Sequence, residues 1–142
     1  MGAVTFAELA SSRNLFILDG LKVLLIEDEP DTATLFTFIL QDAGAQVIPV
    51  ISVVEAIYAL DNFHPNLLIS IRLPTKDGCK LMKIVRSREA ENGKILPAIA
   101  ITGSTTDEDC KFVQEAGFQM HISQPVDPKE FTQAVSNLVF WK

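Results

Sequence analysis

The sequence predicts one α/β domain built on a parallel sheet with helices against both faces. Three observations lead there. Strand-sized apolar runs alternate with helical segments five times from residue 22 onward. The runs "VLLI", "LLI" and "AIAI" are apolar throughout rather than alternating, as in strands covered on both sides. The 142 residues, 48% hydrophobic and 21% charged, suit a single soluble core and are too few for two comfortable ones. Successive β-then-α units require right-handed crossovers and hence parallel pairing. A three-layer sandwich follows.

Each element has its own signal. "KVLLIE" is the first strand, and "DEPDTATLFTFILQDAGA" carries the first helix. Pro30 suits its first turn, Leu35, Phe38 and Ile39 fall on one face, and Gly44 stops it. "QVIPV" is the second strand, and "SVVEAIYALDNF" the second helix, with Ser52 and Glu55 at capping-box spacing. "NLLIS" is the third strand, followed by an Asp-Gly turn and the helix "CKLMKIVRSREA". "PAIAIT" is the fourth strand, and "TTDEDCKFVQEAG" a helix ended by Gly117. "FQMHIS" is the fifth strand. The last helix opens at "DPKE", where Asp127 caps, Pro128 takes the first position and Glu130 completes the box. It runs on through Phe131, Val135 and Leu138.

Residues 1–20 stand apart as an N-terminal extension before a domain over 21–142. "TFAELA" fits a helical turn or two and "LFILDG" an extended apolar segment. A tail packed loosely on the domain is the plain expectation, and a coupling segment for a partner the functional one.

The net charge of −6 gives no electrostatic reason to expect nucleic-acid or anionic-membrane binding. Cys79 and Cys110 are far apart, form no metal-ligand cluster and suit small buried positions in a reducing compartment. His64 and His121 have no ligand spacing. No apolar run reaches membrane-spanning length, and Glu8 spoils "MGAVTFAELA" as a signal peptide. A cytoplasmic protein is expected.

In an open parallel sheet, ligands bind beyond the carboxyl ends of the strands. Those ends carry Glu27, Asp28 and Glu29 on strand one, and Ser70, Ile71 and Arg72 on strand three. Thr102 and Gly103 end strand four, and Ser123, Gln124 and Pro125 end strand five. Acidic residues after a strand often only open the next helix. The combination across four strand ends is what points to a site.

"VLLIEDEPD", "IRLPTKDG", "PAIAITG" and "SQPVDPKEF" together resemble the receiver domain of two-component response regulators and of hybrid histidine kinases, over residues 21–142. The resemblance implies a flavodoxin-like fold of five βα units with strand order 2-1-3-4-5. It makes Asp28 a direct Mg²⁺ ligand, Glu27 a water-mediated one and the backbone carbonyl of Arg72 the third. It makes Thr102 the switch hydroxyl, gives His121 the place of the rotating aromatic switch residue, and puts a cis peptide bond before Pro125. Mg²⁺ takes oxygen ligands and keeps several waters, so such a set is chemically sound. The ion would neutralise charge during phosphoryl transfer.

Two positions depart from the family. Counting back four residues from Pro74, where the family has its phosphoacceptor aspartate, lands on Ser70. Both flanks fit better with an aspartate inserted between Ser70 and Ile71. At Gln124 the family has lysine, and glutamine can donate a hydrogen bond but carries no charge. A serine hydroxyl without an activating base is a poor nucleophile, so Ser70 is no substitute acceptor. Loss of one aspartate and one lysine leaves the pocket's charge balance unchanged.

The expected function is therefore a receiver-type signalling module, not an enzyme beyond family-like self-phosphorylation and dephosphorylation. It would act through protein contacts, with aspartyl phosphorylation absent or impaired and Mg²⁺ binding weak. The partner would be a histidine kinase or other signalling protein, or a second copy. The surfaces expected are the first helix and the face of the fourth helix, fifth strand and last helix, where Phe140 and Trp141 lie off the apolar stripe. The alternative is a competent phosphoacceptor whose aspartate, chemically modified, has no standard letter between Ser70 and Ile71. A flavodoxin-like enzyme or cofactor binder is disfavoured, because no glycine-rich or hydroxyl-rich loop follows strand one.

Overall fold

The computed structural model describes residues 16–71, 76–103, 115 and 117–140, without the side chains of 76–79 and 92. Five strands, β1 (Lys22–Ile26), β2 (Gln46–Val50), β3 (Leu67–Ile71), β4 (Ala98–Thr102) and β5 (Met120–Ser123), form one sheet. Its order is β2-β1-β3-β4-β5 and every pair is parallel. The described helices are α1 (Pro30–Asp42), α2 (Val53–Phe63), α3 (Lys76–Asn92) and α4 (Pro128–Phe140). All of the expected helix "TTDEDCKFVQEAG" but Glu115 and Gly117, together with the segment "TFAELA", Arg72, Cys110 and Trp141, lies outside the described residues, as does the side chain of Cys79.

The sheet separates two apolar layers, as its fully apolar central strands require. On one side Val23, Leu25, Ile69, Ile99 and Ile101 meet Phe36, Ile39 and Leu40 of α1 and Phe131 and Val135 of α4. Phe36 and Phe131 pack edge to face, with centroids 5.5 Å apart. On the other side Leu24, Leu68, Ala98 and Ala100 meet Ala56 and Ala59 of α2 and Leu81, Met82 and Val85 of α3. Pro49 interrupts β2 without harm, because β2 is an edge strand and the missing N–H is not needed by a second neighbour.

Four expectations need correction. The face of α1 shared by Leu35, Phe38 and Ile39 is not the buried one: Leu35 and Phe38 are 54% and 66% exposed, while Phe36, Ile39 and Leu40 are buried. The helix is apolar around most of its circumference, and the α4 aromatic Phe131 selects Phe36. β3 runs one residue further than expected, to Ile71. α3 begins at Lys76 rather than Cys79, so Asp77 and Gly78 are helical backbone and not a turn. Finally, a boundary at residue 21 cuts through packed structure. Leu18 is fully buried, Ile17 packs on the same core, and the Leu18 N–H donates to the Ala43 carbonyl at 2.9 Å.

Caps agree with the composition of the helix starts. The Ser52 hydroxyl accepts from the Glu55 N–H (3.1 Å), and the Asp127 carboxylate accepts from the Glu130 N–H (2.9 Å). Gly44 follows α1 with φ +98°, the left-handed region where glycine carries no Cβ penalty.

A polar cluster ties α3 to the start of β4 and β5. The Arg86 guanidinium donates to the carbonyls of Leu96 (3.0 Å) and Gly117 (3.1 Å from Nε), to Gln119 Oε1 (2.9 Å) and to the Glu89 carboxylate. Glu89 in turn accepts the Leu96 N–H, and Gln119 Oε1 the Ala98 N–H, both at 2.7 Å. No motif marks these residues. In the sequence, "KIVRSREA" reads as an ordinary solvated helix face.

Candidate functional site

Parallel pairing brings the ends of β1, β3, β4 and β5 to one rim. Ile26 is level with Ser70, Ser70 with Ala100, and Ala100 with His121. One step on, Ile71 is level with Ile101, and continuing the register brings Glu27 beside them. One step further, Thr102 is level with Ser123. Side chains alternate between faces along each strand. Ser70, Thr102 and His121 therefore share one face, and Ile71 points to the other, where it joins Ile69, Ile99 and Ile101.

The acidic run divides its labour. Glu27 is buried, with its N–H on the Val50 carbonyl (3.0 Å) and Oε1 accepting the Glu29 N–H (2.9 Å). Asp28 is exposed at the rim. Glu29 caps α1: its carboxylate accepts the N–H groups of Asp31 (3.0 Å) and Thr32 (2.6 Å) and the Thr32 hydroxyl (2.7 Å). This capping role was not read from the sequence, because glutamate is a less common cap than Ser, Thr, Asp or Asn. Glu29→Ala is expected to lower stability by about 1 kcal/mol, measured by denaturant unfolding, with the sheet retained.

At the other end of the rim, Thr102 is buried and its Oγ1 lies 2.6 Å from Nε2 of His121. The Gln124 N–H donates to the Thr102 carbonyl at 2.7 Å, and the Gln124–Pro125 peptide bond is cis, as expected. Ser70 is buried between Ile26 and Ala100. Arg72, the expected carbonyl ligand, is outside the described residues.

Five parallel strands in this order, with these residues at their carboxyl ends, match a known family. The response regulator receiver domain family matches residues 23–136. The chain belongs to the receiver domain family. A 14.6 kDa protein from the sodA1 3' region of Leptolyngbya boryana is 38% identical over 119 residues, 83% of this chain and 89% of that protein. Hybrid signal transduction histidine kinase D of Dictyostelium discoideum is 32% identical over 136 residues. That match is 91% of this chain but only 9% of the kinase, so this receiver is similar to one segment of it. Among solved structures, the receiver domain of the sensor histidine kinase PA1611 from Pseudomonas aeruginosa PAO1, with magnesium in its active site cleft, superposes with TM-score 0.71. It is 26% identical, with 84% of this chain and 97% of that one covered. Receiver domains are signalling modules of two-component and phosphorelay systems, and so is this one.

Of the three ligands expected for Mg²⁺, the described residues include two, Glu27 and Asp28. Glu27 and Asp28 supply two neighbouring carboxylates, but one Glu27 oxygen already holds the Glu29 N–H, and Glu29 caps α1. The end of β3 contributes the apolar side chain of Ile71 rather than a third carboxylate. Among the described residues, no group of three or more His, Cys, Asp or Glu could hold a metal ion. Nor, among them, is any helix long and apolar enough to cross a membrane.

Proposed function

We propose that this receiver domain signals by protein contact without aspartyl phosphorylation. The observation that carries this is Ile71, a buried apolar side chain level with Glu27 and Ile101 at the end of β3. Phosphoryl transfer to a receiver needs a carboxylate nucleophile there, with cations to offset the charge that collects around it. Gln124 supports the same reading, since its amide brings no cation to the rim. Asp28 and Glu27 are left with weak Mg²⁺ binding that organises no acceptor.

The partner is a histidine kinase or another signalling protein in the cytoplasm, engaged without nucleic acid or membrane. Leu35 and Phe38 support contact through α1, since both are large apolar side chains left exposed on a helix whose opposite face is buried. Phe140, half exposed at the end of α4, supports a contact on the β5–α4 side, and a homodimer through that side is the second form of the same proposal.

The test is intact mass before and after incubation with Mg²⁺ and acetyl phosphate. The expected result is a mass equal to the written chain, unchanged by the phosphodonor. A mass heavier by one aspartyl residue, or a gain of one phosphoryl group, would overturn the proposal and make this a competent phosphoacceptor.

A further inference from the structure

We infer that the outer face of α2 is a docking surface for a basic, amphipathic helix of a partner protein. Two observations converge on this face. The first is apolar exposure. Ile51, Val54 and Tyr58, three and four residues apart, form one row along α2 and its entry, 64%, 77% and 63% exposed, opposite the buried Ala56 and Ala59. Phe63 continues the row, half exposed, with its ring edge-on to Tyr58 at a centroid distance of 6.4 Å. Single exposed apolar residues are ordinary, but a contiguous row of them marks an interaction surface.

The second is charge. Between Lys22 and Arg72 the sequence holds seven carboxylates and no lysine or arginine, although the whole chain carries 12 of the latter. On α2 the carboxylates border the row, Glu55 in the first turn and Asp61 in the last, both exposed. The Arg88 guanidinium of α3 meets Asp61 on one side. The row spans about 18 Å at 1.5 Å per residue, some three turns of a partner helix. Apolar side chains at every third or fourth position of that helix fill the row, and flanking lysines or arginines meet Glu55 and Asp61.

The neighbouring sheet edge favours a helix over an added strand. The Gln46 N–H donates to the Leu21 carbonyl and the Val50 carbonyl accepts the Glu27 N–H, so both residues bond inward to β1. Alternation then turns Val47 and Pro49 outward, and Pro49 has no N–H to offer. A second copy is disfavoured by charge, because two α2 rows brought together set carboxylate against carboxylate. The surface is also separate from the α1 contact proposed above, since α1 and α2 pack on opposite faces of the sheet.

The experiment uses the full ¹⁵N-labelled chain and a synthetic amphipathic helical peptide with a leucine face flanked by lysines. Amide shifts on titration are expected to centre on residues 51–63. Val54→Ala with Tyr58→Ala is expected to weaken binding about tenfold. Glu55→Lys is expected to weaken it a few-fold, a difference that shrinks in high salt. Retained amide dispersion checks that these surface variants are folded.

No binding, shifts centred on α1 or α4, or equal binding of a scrambled peptide or of one with glutamates for the lysines would each overturn the inference. So would concentration-dependent self-association in sedimentation velocity that Val54→Ala with Tyr58→Ala abolishes, since the row would then belong to a second copy. Phosphoryl uptake from acetyl phosphate defeats the phosphorylation-independent reading alone, because none of the rim residues lies on this face of α2.

Discussion

Inserting an aspartate between Ser70 and Ile71, together with Gln124→Lys, is expected to turn a chain inert to acetyl phosphate into one that gains a single phosphoryl group. The aspartate takes the level of Glu27 and Ile101 that Ile71 now holds. It also restores the family's spacing to Pro74. With Glu27 and Asp28 it concentrates three carboxylates, a set that favours Mg²⁺ because the cation relieves their mutual repulsion. The lysine then supplies the charge that glutamine lacks. The insertion alone is expected to bind Mg²⁺ more tightly than the native chain but to phosphorylate slowly. Gln124→Lys alone is expected to leave the mass unchanged. Intact mass and Mg²⁺ titration on the four proteins check this. A fully inert double variant would show that the rim differs from the family in more than two residues.

Arg86→Ala is expected to destabilise the domain by about 3 kcal/mol, since hydrogen bonds to charged groups contribute roughly 1.5–3 kcal/mol each and some of that is lost to solvent screening at a partly exposed side chain. The guanidinium serves four partners at once, in Leu96, Gly117, Gln119 and Glu89. Its removal leaves carbonyls at the entry to β4 and before β5 without their donor, and leaves the Glu89 carboxylate, whose side chain is 16% exposed, without its cation. Arg86→Lys is expected to recover less than half of the loss, because one ammonium cannot span partners that the planar fork reaches from several nitrogens. Denaturant unfolding of the three proteins measures this. Equal stability of Arg86→Ala and the native chain would mean the cluster contributes nothing net.

The two effects fall on opposite ends of the same strands. Arg86 acts at the amino ends of β4 and β5, the candidate site lies at their carboxyl ends, and β4 and β5 connect them through the register Ile99–Met120 to Thr102–Ser123. Loss of Arg86 is therefore expected to loosen the rim as well as the base.

The architecture was legible in the sequence because its signals are local and redundant. Strands buried on both faces must be apolar at every position, so "VLLI" and "AIAI" announced themselves, and Ser52, Asp127, Pro30 and Gly44 marked helix ends by chemistry that acts within one turn. The rim residues were legible for the same reason: a parallel sheet brings strand ends together, so Glu27, Asp28, Ser70, Thr102 and Gln124 could be listed before any coordinates. What needed the tertiary structure were choices between patterns the chain satisfies equally well. Leu35 and Phe38 form as good an apolar face as Phe36 and Ile39, and only the position of Phe131 across the interface decides between them. Arg86 looks like any surface arginine until the carbonyls of Leu96 and Gly117, distant in sequence, are folded around it. The Thr102–His121 hydrogen bond joins residues 19 apart in sequence. It exists because the parallel register places Ala100 beside His121, and no spacing along the chain encodes that distance.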